Sequence, residues 1–157
     1  MFLLVHSTVG MIIGQTVREP SLAFLTGFVA HFIFDIIPHG DSRLYKNYKN
    51  GEMKKRAVTS VTVDGILTIL WVLFIGDIVS PEARHAMTYG IAGSILPDLL
   101  VGLGEAFQQN KWFKKFSGLH FAIHSCLTTK IKKDWPWMVG VLFQLTVITI
   151  LIRFIKI

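Results

Sequence analysis

Hydrophobic residues run in long blocks along this chain, with neither the strict alternation of strands nor the one-sided stripe of helices on a soluble core. Five blocks stand out, at about 2–17, 21–38, 57–76, 85–104 and 135–152. A spanning helix needs roughly 20 apolar residues, with a range of about 17–25. The third and fourth blocks meet that length, and the first is short. The turn Glu19-Pro20-Ser21 joins the first two blocks into a helical hairpin, and Gly76 to Pro81 does the same for the third and fourth. The expected fold is all-α: one integral membrane domain over 1–157, a polytopic bundle of about five spans, built as two parallel hairpin repeats plus a terminal helix. The repeat is read from Gly27…Pro38-His39 against Gly90…Pro97-Asp98. The first block lacks the basic start and small-residue cleavage site of a signal peptide.

Composition supports this picture. Of 157 residues, 52% are hydrophobic and 17% charged, against roughly 25% charged in ordinary soluble domains. Mean hydropathy is +0.52. A disordered chain is excluded, and a soluble enzyme is disfavoured. The single cysteine, Cys126, excludes an internal disulfide and a thiolate-rich metal site. The net charge of +6 is unevenly placed. Six basic residues fall in 41–56 (Arg43, Lys46, Lys49, Lys54, Lys55, Arg56) and six in 105–134 (Lys111, Lys114, Lys115, Lys130, Lys132, Lys133), twelve of the sixteen. Basic residues collect on cytoplasmic loops. The expectation is therefore a multi-pass protein of the inner (plasma) membrane with its N-terminus cytoplasmic and its C-terminus outside. Tyr45, Tyr48, Trp112, Trp135 and Trp137 would sit at the inner interface, and 105–118 reads as an interfacial amphipathic helix.

Against this background the polar residues inside the blocks carry the chemistry, because charge within a span is expensive and marks function. They are His6, His31, Asp35, His39, Asp41, Asp64, Asp98, His120 and His124. In the orientation above all nine fall in the cytoplasmic third of the bilayer. His31, Asp35 and His39 recur every four residues and share a helix face, and His120 and His124 stand at i, i+4, a spacing that lets two imidazoles reach one metal. Asp and His donors without thiolates suit Zn first, with Mn or Fe as alternatives. Nine donors exceed one tetrahedral site. Either two metals share bridging carboxylates or some donors act around the ligands and in proton transfer. His85, at the other end of its block, reads as structural. Whether Asp41 and Glu105 belong to the site is left open by the pattern.

These motifs resemble those of the predicted membrane-bound metal-dependent hydrolases of bacteria and archaea. His6 before the small residues Ser7-Thr8-Val9-Gly10 is similar to that family's opening histidine, and Leu96-Pro97-Asp98 matches its Leu-Pro-Asp element. Leu100 stands where the family carries a second Asp. His120-x-x-x-His124-Ser125 resembles the closing His…His-Ser motif, without its Arg-Gly, and His31-x-x-x-Asp35-x-x-Pro38-His39-Gly40-Asp41 looks like a variant element that supplies the missing ligand. The resemblance implies metal binding; the leading expectation is a membrane-embedded metallohydrolase with one or two ions held by a subset of His6, His31, Asp35, Asp98, His120 and His124, and with Asp64 or His39 acting as general base or orienting a ligand. A phospholipid or lipid-linked phosphoester is the expected substrate, and no nucleic-acid motif is present. A metal or proton transporter and a metal-stapled structural membrane protein are the other classes.

Overall fold

Pro20 and Pro81 each occupy the first turn of a helix, where a missing N–H costs nothing. Before each stands a capping side chain. Glu19 accepts from the amides of Ser21 and Leu22, and Ser80 accepts from Ala83. These two punctuation points cut the apolar sequence into hairpins. In the computed structural model, which describes residues 1–107, 110–131 and 135–156 and only the backbone of Ser42 and Arg43, every regular element is a helix. In chain order they are α1 (Leu3–Val17), α2 (Pro20–Asp35), α3 (Ser42–Lys49), α4 (Lys54–Ile78), α5 (Pro81–Ala106), α6 (Lys111–His124), α7 (Cys126–Ile131) and α8 (Trp137–Ile152). Lys132 and Lys133 of the second basic cluster, Gln108 and Gln109 of the 105–118 segment, and the Arg43 side chain lie outside the described parts.

Two helices, α4 with 25 residues and α5 with 26, are long and apolar enough to cross a membrane. At 1.5 Å per residue each spans more than the ~30 Å hydrocarbon core. The remaining apolar helices are shorter than the expected blocks' spanning length. α1 has 15 residues and α2 and α8 have 16 each, about 22–24 Å of helix. The expectation for 105–118 is corrected. Glu105 closes α5, the chain breaks at Phe107, and Asn110 caps a separate α6 by accepting from Trp112 and Phe113.

α5 is the hub, with α1 and α2 packed along it; α4 and α8 pack on α1. Glycine sets the crossing point. A Cβ on Gly10 or on Gly27 would come within 2.5 Å of the Gly90 carbonyl oxygen, so α1, α2 and α5 meet backbone to backbone at one level. Small residues permit this approach. Gly90→Ala should lower stability by about 1–3 kcal/mol through forced separation of the helices. Gly76→Ala, at a position with open space around it, should not. Thermal unfolding of the two variants side by side checks this.

The bundle buries polar side chains beside two apolar clusters and exposes large apolar faces. Buried side chains include His6, Ser7, Thr8, Gln15, His31, Asp35, Ser94, His120 and Gln144. The exposed faces carry Leu22, Leu25, Val29 and Ile33 on α2, Ile66, Leu70, Leu73 and Phe74 on α4, and Met138, Leu142 and Leu145 on α8. α4 is buried over only 11% of its most apolar stretch, the opposite of a core helix in a soluble protein.

Candidate metal centre

The glycine crossing places the donors. α2 and α5 run parallel, and Asp35 lies eight residues beyond Gly27 just as Asp98 lies eight beyond Gly90. Each carboxylate is therefore about 12 Å along its helix from the contact, and the two arrive together. α1 runs the other way, so His6, four residues before Gly10, comes level with Ser94, four after Gly90. The Ser94 hydroxyl donates to the His6 carbonyl at 2.6 Å. α6 then brings His120 across the top. Gly27 and Asp35 of α2 correspond in spacing to Gly90 and Asp98 of α5, and the prolines do not correspond. Pro97 lies inside α5, which continues through it, whereas Pro38 lies beyond the end of α2.

Around this point His31, Asp35, Asp98 and His120 each offer an atom within 4.8 Å of the others. His31 Nε2 lies 3.3 Å from Asp35 Oδ2 and 3.7 Å from Asp98 Oδ1. His120 Nε2 lies 3.5 Å from each of the same two oxygens. A tetrahedral ion bound at about 2.0–2.1 Å has donor–donor edges of about 3.4 Å, so these four edges fit such a cage. The protonation logic agrees. His31 Nδ1 lies 2.8 Å from the Ser94 carbonyl oxygen. A carbonyl only accepts, so Nδ1 carries the hydrogen, and Nε2 is the nitrogen turned toward the carboxylates, where a metal-ligating tautomer would place its lone pair. His31 Nε2 and Asp35 Oδ2 are buried without a hydrogen bond. Facing lone pairs in a dry interior repel unless a cation lies between them. The donor set thus fits a divalent metal. Burial pulls His120 down to about 4, which leaves its imidazole neutral and able to ligate.

His6 takes the other side of the carboxylates. Its Nε2 lies 3.1 Å from Asp35 Oδ1 and 4.0 Å from Asp98 Oδ2, and its ring stacks on His31 at 4.1 Å. The Met1 amino nitrogen also reaches Asp35 Oδ1, at 2.5 Å. His39 and His124 form a neighbouring group with Asp35. Asp41, left open by the sequence, stands between their rings, 2.9 Å from His39 Nε2 and 3.4 Å from His124 Nε2. Asp64 contacts the start of α1. Its two oxygens accept from the amides of Leu3 at 2.6 Å and Leu4 at 3.2 Å, capping α1 at its N-terminus. Glu105 accepts from Lys49 Nζ and Tyr45 Oη, tying α3 to the end of α5. Burial and the adjacent Glu105 push the Tyr45 hydroxyl up to about 12. His85 is exposed on α5, thirteen residues and about 20 Å from Asp98.

Three supporting groups escaped the sequence reading. Ser94 offers its carbonyl to His31, Gln144 on α8 accepts from the Phe2 amide at 2.6 Å, and the Met1 nitrogen meets Asp35. The only sequence signal was the occurrence of Gln144 within an otherwise apolar block.

A cleft of about 770 Å³ opens from the donors. Asp35, Asp41, Asp98, His120 and His124 form its polar end, and Leu44, Val58, Val61, Leu99, Gly102 and Leu103 contribute to its apolar wall. Away from the donors, Met11 of α1 joins Ile75 and Val79 to Met87 and Ile91 in one core cluster; toward the donors, residues of α4 and α5 face the cleft. No family model matches this chain, and no curated protein or solved structure matches it either.

Proposed function

We propose that this chain is a membrane-embedded metal-dependent hydrolase acting at the headgroup level of the cytoplasmic leaflet on a phospholipid or lipid-linked phosphoester, in line with the family its motifs resemble. The observation that carries this is a buried His/Asp cage opening directly into a largely apolar cleft between the two long apolar helices. A lipid tail fits such a wall, and the bond to be cut then lies beside the donors. A divalent transition metal, with Zn favoured by the near-tetrahedral edges, would supply Lewis acidity and acidify a water at this point.

The chain's own residues do the rest. Ser94 fixes the tautomer of His31. Asp35 and Asp98 bring negative charge and hold the donors at tetrahedral spacing. Of the two residues put forward for proton transfer, Asp64 has its oxygens committed to the α1 amides, so it holds α1 and His6 in place. His39 keeps an Nε2 with no hydrogen bond at the mouth of the site. Lys46, Lys49, Lys54, Lys55 and Arg56 on α3 and α4, together with Lys111, Lys114 and Lys115 on α6, favour anionic lipid at that end. Transport is less well supported, because both donor groups lie at one end of the bundle.

We also infer that α1, α2 and α8 are short spans beside α4 and α5, with the donor end cytoplasmic. A cysteine at Gly51 should then react with an impermeant thiol reagent only from the cytoplasmic side, and one at Glu82 only from outside; the reverse pattern would overturn the orientation. The activity itself is tested by metal analysis of protein purified without chelator, followed by turnover on a panel of phospholipids and lipid-linked phosphoesters. At least one equivalent of transition metal and metal-dependent release of a headgroup are expected. Metal below about 0.2 equivalents would sink the proposal, since His/Asp sites of this kind hold Zn tightly.

A further inference from the structure

The structure assigns a second cation position, built by His39, Asp41 and His124 and joined to the first through the shared Asp35 carboxylate. It rests on the metal reading above and adds a count and a ligand set. The argument starts at His39, which is 3% exposed. Its Nδ1 lies 2.6 Å from the Ile37 carbonyl oxygen, so Nδ1 is the donor, and the tautomer that can ligate a metal presents its lone pair at Nε2. That lone pair sits 2.9 Å from Asp41 Oδ2, a carboxylate oxygen that can only accept.

Two acceptors this close need positive charge. Buried His39 Nε2 makes no aligned hydrogen bond, and Asp41 Oδ1, 3.4 Å from His124 Nε2, makes none either, so the pair lacks the geometry of a proton shared between ring and carboxylate. A cation coordinated by both rings and the carboxylate satisfies all these atoms at once. Asp35 stands with His39 and His124 in one group and with His31, Asp98 and His120 in the other, donor atoms inside 4.8 Å in each, and a carboxylate common to two sites bridges them. The loop is built for this position. Gly40 adopts φ +85°, a left-handed conformation that favours glycine. Gly140 of α8 packs so closely on the His39 carbonyl that a Cβ there would overlap it. Asp41 is 40% exposed, so this second ion faces the cleft and exchanges more readily than the first.

The test is a Mn²⁺ titration of the metal-stripped full chain in detergent, read by equilibrium binding and by electron paramagnetic resonance. Two equivalents are expected, the second weaker, and the fully loaded protein should show the spectrum of an exchange-coupled pair. His39→Gln and Asp41→Asn should each keep the first equivalent and lose the second. Gly140→Ala, which alters no donor, should weaken the second by at least about tenfold and leave the first unchanged. Circular dichroism at wild-type helicity shows that each variant is folded. A single equivalent that persists in His39→Gln would overturn this assignment while leaving the hydrolase reading intact. Loss of the second equivalent in His6→Ala, with retention in His39→Gln, would place it on the other side of the carboxylates. No binding at all would overturn both readings.

Discussion

Asp98→Asn is expected to weaken the tighter metal by well over 100-fold and to abolish metal-dependent turnover, while His85→Ala changes neither. Replacing a partner that merely orients a ligand typically costs 10–100-fold; Asp98 supplies a cage atom itself, 3.7 Å from His31 Nε2 and 3.5 Å from His120 Nε2. Asn preserves the volume and removes the anion. The apo protein should not suffer, because Asp35 and Asp98 converge on the same imidazoles and removing one of two neighbouring carboxylates relieves repulsion. Stability therefore gives a readout independent of activity. A ligand at 100 times its dissociation constant stabilises the folded state by about 2.7 kcal/mol. Wild type should show that rise in thermal stability on adding Zn²⁺, and Asp98→Asn should show almost none at the same concentration. His85, exposed some 20 Å along the same helix, is the control for histidine loss in general. If Asp98→Asn kept its metal and its turnover and His85→Ala lost both, the centre would be misplaced.

How much of this could be read from the sequence depends on which force fixed each feature. Hairpin turns were legible because Pro20 and Pro81 act locally, through a missing N–H and a fixed φ. The gathering of His6, His31, Asp35, Asp98, His120 and His124 at one end was legible because charge is costly in an apolar block and each block's direction fixes which end it occupies. The register of the repeat was not. Pro38 and Pro97 look equivalent in the sequence, yet the crossing is set by Gly27 and Gly90, and only their backbone contact makes Asp35 and Asp98 correspond. Asp64 was assigned to chemistry because it is a charge in a span; that its partners are the amides of Leu3 and Leu4 depends on a helix start sixty residues away. Nor does composition reveal that 105–118 is two helices. The break at Phe107 and the Asn110 cap are short-range, but the apolar and basic residues on both sides continue one amphipathic pattern. The first block was legible as short; the length of α2 was not, because Ile36, Ile37 and Pro38 continue its apolar block beyond the last helical residue, Asp35.

Filling the cleft should separate substrate binding from metal binding. Gly102 lies on the wall between α4 and α5, and a Cβ added there would meet nothing within 4 Å. Gly102→Trp thus places a large side chain in the space a lipid tail would occupy, with no helix–helix contact to break. Turnover of a long-chain lipid phosphoester should fall by about 100-fold, the size expected when a reacting group is displaced from its position even though the chemistry is untouched. Metal content and thermal stability should stay at wild-type values, because Gly102 is a full turn beyond Asp98 and contacts none of the donors. A short-chain, water-soluble phosphoester, which needs only the polar end of the cleft, should be hydrolysed nearly as fast as by wild type. The selectivity between long and short substrates is the decisive measurement. Equal losses for both would mean that the tryptophan disturbs the centre. No loss for either would mean that the tail lies elsewhere and that the space between α4 and α5 is not the substrate path.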